Sequence, residues 1–193
     1  MEKIFHGVLL DFDGTLVKPV IDWPAMKREM NFDTDSVSIL DFLTTAPSYR
    51  AHQIAMVLER HERAAAERAE ANEGAVELLE FLATKNVPFG VVTNNAMRHI
   101  SFMLQRTRLS IDKIITRDIG HWKPDVRHVL AGAKAIDVPP EMCIFIGDGR
   151  YDMMAATEAR MISVHLAPEP GPSCDYRVER LGEVIALLER LLS

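Results

Sequence analysis

Val8-Leu9-Leu10-Asp11-Phe12-Asp13-Gly14-Thr15-Leu16 is the stretch on which the reading of this chain turns. Its apolar opening predicts a short buried strand, followed at once by two carboxylates, a glycine and a threonine. Residues two apart on an extended chain share a side, so Asp11 and Asp13 can point into one space beyond the strand's carboxyl end. Two anions held that close repel each other unless a cation lies between them or one keeps its proton. Three chemistries use such a pair: a hard divalent metal, a carboxylate nucleophile, or a nucleophile beside an acid. Asp-Gly after a strand is also an ordinary turn. The longer pattern D-x-D-G-T-L, directly after an apolar strand, is much narrower.

Four more short apolar runs follow, at 87–92, 113–116, 142–146 and 161–166, most of them rich in Val and Ile. Helical patterns of ten to fifteen residues alternate with them, which predicts an α/β fold with a mainly parallel sheet and helices on both faces. Ligands of such sheets bind outside the carboxyl ends of the strands. No strand pattern is found from about 17 to 73. Helices are expected there at 22–31, 36–44 and 47–72, the last dense in Ala, Glu and Arg from Glu59 onward. The chain therefore divides into a core of residues 1–16 and 74–193 and an all-helical insertion of residues 17–73. The segment 178–192 carries Leu181, Ile185, Leu188 and Leu192 at helical spacing and predicts a packing helix.

Composition narrows the class. A chain that is 48% hydrophobic and 26% charged has material for a core and is not disordered. A net charge of -6 argues against a nucleic-acid partner, whose footprint is a basic surface. No run approaches the roughly 20 apolar residues of a membrane helix. The first strand follows so soon after Met1 that no signal peptide is expected, and two cysteines, Cys143 and Cys174, make no disulfide framework. These readings point to the cytoplasm.

The polar residues after each strand form a set. Asp11 and Asp13 follow the first, and Thr93-Asn94-Asn95 the second. Beyond the third lies Gly120-His121-Trp122-Lys123-Pro124, with Pro124 able to start a helix. After the fourth comes Gly147-Asp148-Gly149-Arg150-Tyr151-Asp152. Brought into one crevice, they supply a hydroxyl, an amide, a lysine and four carboxylates. With a divalent cation, that is a set of groups suited to a phosphoryl group. Of the seven histidines only His121, two residues from Lys123, has a sequence-based case for approaching the site.

In order, these motifs read D-F-D-G-T, V-V-T-N, K-P and I-G-D-G-x-x-D, and on them the chain resembles the haloacid dehalogenase-like (HAD) hydrolases, in particular their phosphoglycolate phosphatase-like branch. The resemblance implies a Rossmann-like three-layer core and identifies the insertion as a helical cap. It implies a Mg2+-dependent phosphatase acting on a small phosphorylated metabolite. Asp11 would be the nucleophile that forms an aspartyl-phosphate, and Asp13 the general acid and base. Thr93, Asn94 and the backbone amides near Phe12 and Gly14 would hold phosphate oxygens, and Lys123 would neutralise charge. Metal ligands would be Asp11, the backbone carbonyl of Asp13 and Asp148, with Asp152 in support. A crowded anionic site is expected to raise the pKa of Asp13, as an acid working near neutral pH requires.

Three alternatives stay beside this one. A phosphomutase would share every motif. A phosphonatase would need a lysine in the cap, where only Lys18 and Lys27 occur, neither in apolar surroundings. A non-catalytic phosphate-binding protein would keep the fold without turnover. The chain departs from many relatives of the branch after D-G-T-L, where it continues Val17-Lys18-Pro19-Val20-Ile21-Asp22-Trp23. Trp23, Arg28, Tyr49, Arg50 and His52 are the insertion residues with a case for contacting substrate, Arg50 through a second anionic group.

Overall fold

In a computed structural model, which describes residues 5–31 and 38–192, five of the six strands are the ones the apolar runs predict. They are β1 (Gly7–Leu10), β2 (Phe89–Val92), β3 (Ile114–Ile115), β4 (Cys143–Gly147) and β5 (Ile162–Leu166), joined by β6 (Tyr176–Val178). All pair in parallel in the order β3-β2-β1-β4-β5-β6. The order reverses direction between β1 and β4, and that switch point is where a doubly wound sheet opens its crevice. Leu10 is in register with Val91 on one side and with Ile146 on the other. Asp11, Thr93 and Asp148 therefore leave the sheet almost level with one another.

The sheet is covered on both faces, as parallel sheets are. Side chains alternate along β1, so Leu9 joins Val92, Phe145, Val129, Ala133 and Ala156 in one buried cluster. Val8 and Leu10 point to the opposite face and are equally buried. Helices α6 (Val126–Ala135) and α7 (Arg150–Glu158) pack against each other and the first face, while α4 (Ala75–Thr84) and α8 (Leu181–Leu192) pack together. α5 (Met97–Thr107) connects β2 to β3.

The contacts divide the chain into residues 1–19 with 70–193, and residues 20–69. The second unit holds α1 (Trp23–Glu29), α2 (Ile39–Thr45) and α3 (Ser48–Glu67) around Met26, Met30, Ile39, Ile54 and Leu58. The expected start of α2 at Ser36 lies outside the described residues. Asp22 caps α1 by accepting a hydrogen bond from the Ala25 N–H.

α3 stops five residues short of the expected 72. The chain from Glu70 turns to pair with the loop after β1. Lys18 N–H donates to the Glu70 carbonyl, Asn72 N–H to the Leu16 carbonyl, and Val17 and Ala71 form an antiparallel bridge. β6 has no counterpart among the apolar runs, and its three residues include an exposed arginine, Arg177.

Candidate active site

β1 delivers Asp11 into the switch-point crevice with its N–H bonded to the Ile146 carbonyl. The side chain is buried, as is that of Lys123, which is 2% exposed. The Lys123 ammonium lies 2.6 Å from Asp11 Oδ1 and 2.6 Å from Asp152 Oδ1. Burial would push this ammonium towards neutrality, but the two carboxylates more than offset it and hold its pKa above the ordinary lysine value. For Asp11 the balance goes the other way. Burial raises its pKa well above the carboxylate range, Lys123 lowers it, and Asp152, Asp148 and Asp13 add to the rise.

Asp152 occupies the third position of α7, from which its Oδ2 accepts the Gly149 N–H in a capping arrangement. Both of its oxygens are thereby engaged, one by the helix start and one by Lys123. Asp148 is half-buried, and its pKa is pushed up to about 6, first by burial and then by the neighbouring Asp152. Asp11, Asp148 and Asp152 each present an oxygen within 4.8 Å of the others. An all-oxygen, anionic donor set with only one ammonium among it fits a hard divalent cation. Gly14 and Asp148 also border a cavity of about 750 Å3 that extends away towards α4 and α8.

Asp13 is held from the β2 side. Asn95 Nδ2 donates to its two oxygens at 3.3 and 3.1 Å, and the Thr93 hydroxyl at 3.3 Å. The Thr93 hydroxyl in turn accepts the Asn95 N–H at 3.1 Å. Thr93 and Asn95 are both buried. Asp11, Asp13, Lys123, Thr93, Asp148 and Asp152 are thus gathered at one end of the sheet.

Two residues make bonds that the motifs alone do not foretell. Both ends of the Asn94 amide are engaged by Lys123 main chain, donating to its carbonyl at 2.9 Å and accepting its N–H at 2.7 Å. Asn94 therefore fixes the lysine's backbone, using one of its two Nδ2 hydrogens. The Gly14 N–H donates to the Val17 carbonyl at 2.8 Å, closing the turn after β1. Gly14 is required for room: it sits at φ +86, and a side chain there would overlap the Asp148 carboxylate.

Three further corrections concern neighbours. Pro124 does not start α6; it follows Lys123 through a cis bond, and Asp125 caps the helix by accepting the Arg127 N–H. His121 lies beside Asp125, 3.6 Å from its Oδ2. The histidines that reach the site are His128, whose Nε2 is 3.0 Å from the Thr93 carbonyl, and His165, whose Nε2 is 3.0 Å from the Asp148 carbonyl. The visible signal for His165 was a polar residue inside an apolar strand run; for Asn95, a third polar residue after V-V-T. In the insertion, Arg50 donates to the Met30 and Asn31 carbonyls and to Gln53, so its guanidinium ties α3 to the end of α1. Lys18 is bonded to Glu70 at 2.8 Å, which raises its pKa, the reverse of what a Schiff-base lysine requires.

Sequence comparison agrees with this geometry. The profile of the haloacid dehalogenase-like hydrolases matches residues 27–166, nearly three quarters of the chain. An uncharacterised hydrolase of Saccharomyces cerevisiae is 28% identical over 98% of this chain and 93% of its own length. An N-acetylmuramic acid 6-phosphate phosphatase of Pseudomonas putida is 27% identical over 87% of each. A hydrolase from Pseudomonas syringae has the same fold, with a TM-score of 0.84 over 97% of this chain and 100% of its own, at 24% identity. The chain belongs to the haloacid dehalogenase-like hydrolase family. Among the described residues, no helix is long and apolar enough to cross a membrane.

Proposed function

We propose that the chain is a magnesium-dependent phosphatase that hydrolyses a small phosphorylated metabolite through an aspartyl-phosphate. The observation that carries this reading is the buried Asp11–Lys123–Asp152 arrangement at the carboxyl end of β1. A carboxylate can approach a dianionic phosphoryl group only where cations offset their repulsion, and phosphoryl transfer depends chiefly on positioning and charge. Asp11 attacks phosphorus, forming the acyl phosphate as the P–O bond to the alcohol breaks. Asp13 gives the departing oxygen its proton and then takes one from the water that hydrolyses the intermediate. Lys123 steadies the nucleophile and the phosphoryl oxygens, and the Thr93 hydroxyl, which donates to Asp13 in this structure, swings to a phosphoryl oxygen when substrate binds.

Asp11, Asp148 and the main-chain carbonyl of Asp13 would hold Mg2+, with Asp152 in support; when bound, the ion supplies positive charge against the phosphoryl oxygens. Asn94 holds the Lys123 main chain in place and keeps a second Nδ2 hydrogen for a phosphoryl oxygen. The helical insertion, residues 17–73, is assigned as the family's substrate-selecting cap. The sugar phosphate named for the Pseudomonas putida relative makes phosphorylated sugars the first compounds to test. The acidic balance of the chain disfavours nucleic acid, and its two free cysteines suit the reducing cytoplasm.

The test is phosphate release from a panel of phosphorylated sugars and other small metabolites, with Mg2+ and with chelator, using Asp11→Asn as the blank. Metal-dependent release absent from the blank is the expected result. Undiminished release by Asp11→Asn would overturn the nucleophile. Conversion of one sugar phosphate to another without free phosphate would make the protein a mutase.

A further inference from the structure

Three buried side-chain polar atoms among the described residues have no hydrogen-bond partner: Thr15 Oγ1, His128 Nδ1 and His165 Nδ1. His165 lies within β5, 3% exposed, in register with Gly147 at the end of β4. From there its Nε2 reaches the main-chain carbonyl of the next residue, Asp148, at 3.0 Å. A carbonyl can only accept, so Nε2 carries the proton of this bond, while Nδ1 meets no partner. The ring has this one polar bond, and it is made to the residue assigned to the metal.

Asp148 needs such a tether. It stands between Gly147 and Gly149, and a segment flanked by two glycines has little backbone stiffness of its own. Gly147 cannot be exchanged for a stiffer residue, because a side chain there would overlap the Asp152 carboxylate. The far side of the His165 ring is closed by Gly171, where an added methyl would overlap Cε1. The imidazole is therefore wedged between an exposed loop and the Asp148 carbonyl.

We infer that His165 is a positioning residue for the metal site, fixing the Asp148 main chain and through it the direction in which that carboxylate is presented to a divalent cation. The inference rests on Asp148 being a metal ligand. Partners that orient metal ligands from behind typically change metal affinity about 10- to 100-fold when removed.

The test titrates Mg2+ into the metal-stripped full-length protein by calorimetry, with urea unfolding run in parallel. His165→Asn keeps a polar side chain but is too short to reach the carbonyl; it should bind Mg2+ about 10- to 100-fold more weakly. His165→Gln can place an N–H where Nε2 lies and should recover most of the affinity. Gly171→Ala, an exposed change that leaves His165 intact, should weaken binding in the same direction by displacing the ring. His128→Asn, which breaks the matching bond to Thr93, should leave Mg2+ affinity unchanged. Equal affinity in His165→Asn, His165→Gln and wild type would overturn the assignment and leave His165 a stability residue only. Failure of the wild type itself to bind Mg2+ would instead overturn the metal reading on which the inference rests.

Discussion

Replacing Asp148 by Asn is expected to stabilise the metal-free protein while destroying its metal site. The Asp148 pKa rises from 3.8 to about 6 on folding, through burial and the proximity of Asp152. The folded state then binds the extra proton between these values, so stability falls as pH rises through that window. That rise from 3.8 to about 6 amounts to roughly 3 kcal/mol once pH is above 6. Linkage over the same two values leaves about half of it at pH 5 and little below pH 4. Asn has the same shape without the charge, so the variant should unfold in urea with up to about 3 kcal/mol more stability at pH 7.5, and the gap should close as pH falls. Saturating Mg2+ should reverse the order. Mg2+ at 1,000 times its dissociation constant adds about 4.1 kcal/mol to the wild type, more than the roughly 3 kcal/mol gap, and the variant lacks the carboxylate to receive it. A metal-free variant less stable than wild type at pH 7.5, or a gap that does not change with pH, would refute the reasoning.

Other perturbations read other parts of the site. Lys123→Ala leaves Asp11 and Asp152 buried without their cation, and urea unfolding at pH 7.5 should show a loss of about 3–5 kcal/mol together with loss of turnover. Asn95→Ala removes the amide that holds Asp13, so kcat should fall by about 10- to 100-fold with KM little changed, a fraction of what general acid–base catalysis contributes. Burial lowers the His128 pKa from 6.5 to about 4, so its neutral form supports the fold fully above pH 6.5. That support, roughly 3 kcal/mol, is lost as pH falls through 4. His128→Gln should flatten the urea-midpoint profile between pH 4 and pH 6.5.

How far the sequence carried varies by element, for physical reasons. β1, β2, β4 and β5 are covered on both faces, so each is written as a nearly unbroken apolar run that can be read directly. β6 has one buried position, Val178, and an exposed Arg177, and so no run to read. Asp11, Asp13 and Asp148 were legible because carboxylates packed after buried strands are rare enough to need a reason. The work of Asn94 was not legible, since a cap, a phosphate contact and a grip on a distant lysine's backbone look alike in one dimension. The same holds for Gly14, where the spatial neighbour Asp148 sets the requirement from 134 residues away in the chain. His121 was favoured by its nearness to Lys123 in sequence, whereas His128 and His165 reach the site through α6 and β5. Helix end points failed where a tertiary partner took over: α3 gives up its last turn so that residues 70–72 can pair with residues 15–18.

That last pairing has a consequence for how such a chain can change. The outgoing segment at Val17 and the returning one at Ala71 lie side by side, stitched by backbone bonds and by the Lys18–Glu70 pair. Residues 20–69 are thus a cassette whose two ends are held side by side. Because its two ends are already joined within the hydrolase core, a helical insert of another length or sequence can be spliced in without rethreading the sheet. The stitch, rather than the insert, is the part that must stay constant while the chain tries out new inserts.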